Sequence, residues 1–211
     1  MSRTKVMLVD DHTLLLEALK GLLEPEFDVV GAVADGRAAL ATAQKVKPDV
    51  VVLDIAMPLL NGLDAARRFR EMSPAPKLIF LTMNPDPDLA QEALRVGASG
   101  YLLKTSAASE LSKAILRAVR GLKYVTPSMQ RGLDELFIED PRGEPKRPAL
   151  SARQREVLQL LAEGRPMKQV ADILHLATRT IAYHKYKMMA DLRLKSTAEL
   201  IQYAVKTKLV S

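Results

Sequence analysis

Residues 5–11 read Lys5-Val6-Met7-Leu8-Val9-Asp10-Asp11, a short aliphatic run that stops on two acidic residues. A run this short and this rich in valine and leucine reads as a strand buried on both faces. Similar runs follow at Val29–Ala34, Val50–Leu53, Leu78–Leu81 and Gly100–Leu103. Between them, Leu14–Leu23, Gly36–Val46, Leu63–Met72, Leu89–Val96 and Ala108–Val119 place apolar residues three and four apart, the period of a helix. Parallel neighbours need a crossover connection, and that crossover is right-handed. Five strand–helix repeats therefore predict a doubly wound α/β fold around a five-stranded parallel sheet.

The composition is that of a globular protein, with 48% apolar and 27% charged residues, which excludes disorder and collagen-like repeats. The first apolar run, Val6 to Val9, is too short for a signal-peptide core, and no stretch approaches the roughly 20 apolar residues of a membrane span. The expected location is the cytoplasm, which the absence of cysteine also fits. Charge is unevenly spread. Residues 1–125 carry 16 Lys/Arg and 15 Asp/Glu, residues 126–149 carry 4 and 5, and residues 150–211 carry 11 and 5, so the whole excess of +6 lies in the last segment. A basic segment on a neutral body suits a polyanion, with nucleic acid the first candidate, although an idle basic surface has the same charge.

A sixth helix is expected to run from Thr126 to Ile138. The stretch 139–148, with Pro141, Gly143, Pro145 and Pro148 among charged residues, then reads as an interdomain linker. Beyond it the chain is helical throughout. Arg153–Glu163, with Ser151 as N-cap, ends at Gly164. Met167–Leu174 is joined through a turn at His175–Thr178 to Arg179–Leu192, which is a helix-turn-helix shape. On the last of these, Ile181, His184, Met188 and Leu192 form the apolar stripe. Arg179, Tyr183 and Tyr186 fall on the opposite face, with Lys187 beside them, a mixture suited to phosphate and base-edge contact. The expected divisions are residues 1–125, 126–149 and 150–211.

In open α/β sheets the functional crevice lies at the carboxyl ends of the strands. There the first strand ends in Asp10 and Asp11, the third in Asp54 and the fourth in Thr82, and Lys104 follows the fifth. A single Asp at a strand end reads equally well as a helix N-cap. The joint pattern, with Pro58 four residues after Asp54, points instead to a site. Three carboxylates held together repel, so the arrangement calls for a hard cation such as Mg²⁺, and hence for phosphate chemistry.

Over residues 4–122 these features resemble the receiver domain of two-component response regulators, which has a flavodoxin-like fold. The resemblance implies that Asp54 is the phosphoacceptor, taking a phosphoryl group from a sensor histidine kinase. It implies that Asp10, Asp11, Asp54 and the backbone carbonyl of Ala56 hold Mg²⁺, and that Lys104 pairs with the phosphoryl oxygens. It assigns the switch to Thr82, which moves towards the phosphoryl group, and to Tyr101, which turns inward behind it. Two features depart from the common pattern. Thr105 follows Lys104 where many receivers have proline, so a cis peptide cannot be assumed there, and Asn84-Pro85-Asp86-Pro87-Asp88 places two prolines in a segment expected to move.

Residues 148–209 resemble the LuxR-type helix-turn-helix domain of the NarL/FixJ group. The match is carried by Leu150-Ser151, Arg155-Glu156-Val157-Leu158, Ala162-Glu163-Gly164, Lys168, Val170-Ala171, Thr180-Ile181, His184 and Leu192. The resemblance implies a DNA-binding transcriptional regulator, not an enzyme, that contacts double-stranded DNA through Lys168, Arg179, Thr180, Tyr183, Lys185, Tyr186 and Lys187. It implies a homodimer on phosphorylation, supported by Thr197–Val205, with RNA polymerase as a further partner and no membrane. Pro166 and Ala177 stand where relatives carry capping residues, and Thr178 is expected to cap the third helix instead. Ala182 stands where many relatives carry a groove-reading residue, so their DNA sites cannot be borrowed. His12, His175 and His184 show no metal-ligand spacing, and His184 reads as a packed residue. Two alternatives compete. A haloacid-dehalogenase-like phosphatase would need an Asp where Ala56 stands, and a phosphorylation-independent regulator would leave a complete acidic pocket unused.

Overall fold

The computed structural model describes residues 3–130, 150–207 and 209–210, and these divide into two compact units, one holding the sheet and one holding the C-terminal helices. In the first unit the elements run β1 (Lys5–Val9), α1 (Thr13–Leu23), β2 (Asp28–Val33), α2 (Gly36–Val46), β3 (Val50–Leu53), α3 (Gly62–Phe69), β4 (Lys77–Thr82), α4 (Pro87–Arg95), β5 (Gly100–Leu103), α5 (Ala107–Val119) and β6 (Tyr124–Val125). A 3₁₀ turn, Lys104–Ser106, leads into α5.

All strand pairs are parallel, in the order β2-β1-β3-β4-β5-β6. The five expected strands are present. The sixth is a two-residue extension that the sequence reading did not contain: Tyr124 and Val125 pair with Gly100 and Tyr101, and a strand so short has no readable period. Its end is fixed by Thr126, whose Oγ1 accepts the Leu103 amide and donates to Glu110 Oε2. A second difference concerns β2. It lies at the sheet edge and is only partly buried along its length, not covered on both faces as its valines suggest.

Side chains alternate across the sheet. Val6, Leu8, Val50, Val52, Ile79, Leu81 and Leu102 form one buried layer with residues of α1 and α5. The alternate set, including Met7, Val51, Leu53, Phe80 and the fully buried Tyr101, faces the other side, where Ala39, Ala65, Phe69 and Ala90 of α2, α3 and α4 are buried. Burying each large aliphatic or aromatic side chain is worth about 1.5–3 kcal/mol, so the layers position the strand ends rigidly. Caps reinforce this: Asp35 Oδ1 accepts the Arg37 and Ala38 amides at the start of α2.

In the second unit α6 (Ala152–Ala162), α7 (Met167–Leu174), α8 (Thr178–Asp191) and α9 (Thr197–Lys206) surround Val157, Leu158, Leu160, Val170, Ile181, Met188 and Leu200. Ser151 caps α6 in a reciprocal box with Gln154, as expected. Ala177, not Thr178, occupies the N-cap of α8, and no side chain caps that helix. Thr178 is already its first helical residue, one step too late to serve as a cap. The α7–α8 turn closes through His175, which adopts the left-handed region at φ 53° and donates its amide to Ala171 and Asp172 carbonyls. Of the expected sixth helix, residues 127–130 are helical, while the remainder and the expected linker at 139–148 lie outside the described residues.

Gly62, at the start of α3, passes against the backbone of Asp54: a Cβ there would stand 2.0 Å from the Asp54 carbonyl oxygen. Its own amide donates to the Ile55 carbonyl at 2.9 Å. Backbone cannot yield as a side-chain end can, so Gly62→Ala should destabilise the first unit by about 1–3 kcal/mol or more. Urea unfolding of the full chain measures this, and an unchanged midpoint would show that the loop has room to open.

Candidate functional site

The parallel order brings the carboxyl ends of β1 and β3 side by side, with β5 two strands from β3. Asp10 and Asp54 are 2% and 4% exposed. Lys104 Nζ, itself buried, lies 2.7 Å from Asp10 Oδ2 and 2.6 Å from Asp54 Oδ2. The remaining oxygens are also engaged: Asp54 Oδ1 accepts the Ile55 amide at 2.6 Å, and Asp10 Oδ1 accepts the His12 amide at 3.0 Å. Asp11 is exposed at the rim. One ligand atom from each of Asp10, Asp11, His12 and Asp54 falls within 4.8 Å of the others.

Burial pushes the Asp54 carboxyl up from its ordinary value. Lys104 opposes this through its hydrogen bond and charge, while the Asp10 charge adds to it. For Lys104, burial would lower the ammonium, but the hydrogen bonds and charges of Asp10 and Asp54 outweigh it and hold the group protonated. Two of the three carboxylates share an ammonium supplied by the chain. The set still fits a hard divalent ion, because the carboxylate oxygens that converge here are the donors such an ion takes. Ala56 lies in the loop after β3, exposed and two residues beyond Asp54.

Thr82 and Tyr101 form the far wall. Thr82, 3% exposed, accepts the Asn84 amide on Oγ1 at 3.2 Å. Asn84 Oδ1 in turn accepts the Asp86 amide, and Asp86 Oδ1 accepts the Asp88 amide at the N-terminus of α4. Tyr101 is completely buried, with its hydroxyl donating to the Asn84 carbonyl at 2.8 Å. Burial, and secondarily the Asp54 charge, push its phenol up. The ring is thus inside, and the two-proline segment is stitched by three successive side-chain-to-amide turns. The Lys104–Thr105 peptide is trans; Ser73–Pro74 is the cis bond among the described residues.

In the second unit Lys168, Arg179, Tyr183, Tyr186 and Lys187 are exposed, while Thr180 and Lys185 are partly covered. Tyr183 and Tyr186 are 62% and 61% exposed. Lys185 Nζ lies 5.5 Å from the Tyr186 ring centroid, and Lys187 Nζ lies 3.6 Å from Asp191 Oδ2. His184 is half-buried, edge to face with the exposed Tyr183 ring.

Residues 6–116 match the response regulator receiver domain, and residues 148–204 match the luxR family of bacterial regulatory proteins. The chain is a response regulator of the NarL/FixJ group. Its relatives include the oxygen regulatory protein NreC of Staphylococcus carnosus, 34% identical over 98% of this chain and 99% of the relative, and NreC of Staphylococcus haemolyticus, 33% identical over the same shares. Among solved structures it is similar to the RcsB response regulator of Salmonella typhimurium, with 27% identity, 98% of each chain covered and a TM-score of 0.66. It is also similar to an RcsB–DNA complex, with 28% identity, 97% of this chain and 98% of that chain covered, and a TM-score of 0.61. As a member of this group it is a phosphorylation-regulated, DNA-binding transcription regulator, and the family is one of regulators rather than enzymes. No helix among the described residues is long and apolar enough to cross a membrane.

Sequence reasoning gives no place in the pocket to Gly62 or Asn84, and none to His12, whose adjacency to the acidic pair is the signal for its contacts with Asp10 and Asp11. Gly62 and Asn84 act through backbone proximity across elements, for which no local pattern exists.

If Lys104 is the counter-charge for two buried carboxylates, its removal leaves them uncompensated. Lys104→Met should cost about 3–5 kcal/mol at neutral pH. In the variant only the Ile55 amide still opposes burial at Asp54, so its carboxyl rises further and the folded state holds a proton that the unfolded chain has released. That contribution is full below the ordinary carboxylate range and is lost as pH rises from there through the raised folded-state value. Urea unfolding should therefore show the deficit shrinking as pH falls from neutral towards the ordinary carboxylate range. A deficit constant across that range would mean that the carboxylates find another partner.

Proposed function

We propose that Asp54 accepts a phosphoryl group from a sensor histidine kinase and that the resulting acyl phosphate controls dimerisation and DNA binding. The observation that carries this reading is the pair of short contacts from Lys104 Nζ to Asp10 and Asp54. They place a nucleophilic carboxylate beside a cation that can follow the charge. An oxygen of Asp54 attacks phosphorus in line, the bond to the donor imidazole nitrogen breaks, and the electron pair leaves with that imidazole. In so loose a transition state, positioning and electrostatics supply most of the catalysis. The Ile55 amide orients one oxygen of Asp54. The Lys104 ammonium can pass a hydrogen bond from the carboxylate to a phosphoryl oxygen without leaving the pocket.

Asp10, Asp11, Asp54 and the Ala56 carbonyl would hold Mg²⁺, which when bound offsets negative charge on the phosphoryl oxygens. Thr82 would move towards the new phosphoryl oxygens. That motion pulls on the Asn84 amide and carbonyl, and so on both Tyr101 and the start of α4. Residues 1–125 form the receiver, 126–149 the connection and 150–211 the DNA-binding domain. In the last, α8 enters the major groove. Arg179, Lys185 and Lys187 face phosphates and base edges with Thr180, Tyr183 and Tyr186, and Lys168 reaches the backbone from α7. The similar RcsB has been solved as dimers bound to DNA, which supports a homodimer here, with RNA polymerase as the downstream contact.

Incubation of the full chain with a small phosphodonor and Mg²⁺ should add one phosphoryl mass, and Asp54→Asn should abolish it. An adduct persisting on the variant would move the acceptor elsewhere. Each phosphate-facing cation displaces counterions from DNA, so Arg179→Ala and Lys187→Ala should each weaken binding and reduce the slope of log affinity against log salt by about 0.9. Wild-type slopes measured by fluorescence anisotropy would place those residues off the DNA.

A further inference from the structure

β5 delivers two residues of the pocket, Tyr101 within the strand and Lys104 immediately beyond its end. On one side β4 pairs with all of β5, whereas on the other β6 pairs only with Gly100 and Tyr101. In a parallel ladder alternate residues turn their N–H and C=O to alternate sides. The Leu103 amide, two residues after Tyr101, therefore faces the side where β6 has already ended. Leu103 is also the N-cap of the 3₁₀ turn that carries Lys104, and its side chain offers no cap.

Thr126 supplies the missing rung. Its amide donates to the Tyr101 carbonyl at 3.0 Å, which continues the ladder by one bond. Its carbonyl, which a longer strand would offer to the Leu103 amide, instead accepts the Met129 amide at 2.9 Å as the helical residues 127–130 begin. The side chain takes over: Thr126 Oγ1 accepts the Leu103 amide at 3.2 Å and donates to Glu110 Oε2, in the first turn of α5, at 3.1 Å. A hydroxyl has one proton to give. With that proton committed to a carboxylate, its lone pairs are left for the amide. Thr126 is 3% exposed, so water does not compete for either bond. One residue thus grips β5 twice, at the carbonyl of Tyr101 and at the amide next to Lys104.

We propose that Thr126 is a positioning residue for phosphoryl transfer: its hydroxyl, oriented by Glu110, fixes the Leu103 amide and so the backbone from which Lys104 reaches Asp54. Lys104 Nζ meets Asp10 and Asp54 at 2.7 Å and 2.6 Å, and the start of its stem decides whether it can. A misplacement of about 1 Å in a reacting geometry costs roughly a hundredfold in rate. The inference rests on the reading of Asp54 as phosphoacceptor and of Lys104 as the cation that follows the charge.

The test is the rate at which the full chain gains a phosphoryl group from acetyl phosphate with saturating Mg²⁺, read by intact mass, on variants shown by urea unfolding to be folded. Thr126→Val keeps the shape but loses both hydrogen bonds, and should slow incorporation about tenfold. Thr126→Ser keeps the hydroxyl and should return close to the wild-type rate, a rescue that a purely structural role of the side chain would not produce. Glu110→Leu removes the acceptor that orients the hydroxyl and should also slow incorporation, so it carries the test if Thr126→Val does not fold. Mg²⁺ affinity, measured by calorimetry, should stay at its wild-type value, because the carboxylates are untouched.

The proposal is overturned if folded Thr126→Val or Glu110→Leu is labelled at the wild-type rate, or if Thr126→Ser is as slow as Thr126→Val. It is overturned equally if Mg²⁺ affinity falls in step with the rate, which would place the defect at the carboxylates. Absence of label on the wild-type chain is a different result and removes the phosphoacceptor reading itself.

Discussion

One ammonium group holds the N-terminal unit's chemistry together. Two carboxylates on neighbouring strands are withdrawn from water, and Lys104 reaches them both from beyond β5. Strands lie about 4.8 Å apart, so the lysine stem has to cross roughly two strand spacings to Asp54. Only a parallel sheet, in which every strand end faces the same rim, lets residues so distant in the chain meet there. A buried charge pair is costly to assemble and costlier to break on one side. The arrangement is therefore better read as a site held ready for a new anion than as a stabilising feature. For the phosphoryl transfer proposed above, the cation would already be in place.

The wall of the pocket is a chain of hydrogen bonds. Thr82, Asn84 and Asp86 each accept an amide two residues further on, and Tyr101 is tied to the Asn84 carbonyl. A displacement of Thr82 is thus shared by the segment leading into α4. That helix is also tethered on its flank: Arg67 donates to Asp64 and to Glu92, and Arg95 donates to Glu92 and Gln91. Such a bonded chain is the element through which the switch proposed above would act.

The second unit follows a different economy. Its core is small and aliphatic, and its two largest exposed side chains, Tyr183 and Tyr186, sit on the helix that carries Arg179, Lys185 and Lys187. Aromatic rings left in water among cations are poor for stability and good for stacking, groove contact and phosphate binding. Three of the eleven cations of the basic segment, Arg179, Lys185 and Lys187, lie on this helix.

Aliphatic runs and helical periodicity by themselves determined the strand–helix alternation, the helix-turn-helix and the identity of Asp10, Asp11, Asp54, Thr82 and Lys104, because local pattern and strand-end position are properties of the chain itself. β6, the partial exposure of β2, and Ala177 in place of Thr178 at the cap depended on pairing partners and on one-residue differences in helix start, which no period encodes. The close approach of Gly62 to Asp54, the place of His12 among the carboxylates, and the sharing of one ammonium by Asp10 and Asp54 were decided by tertiary structure alone. Each is a contact between atoms that chain order leaves apart or unoriented, and only the packed sheet sets their distance.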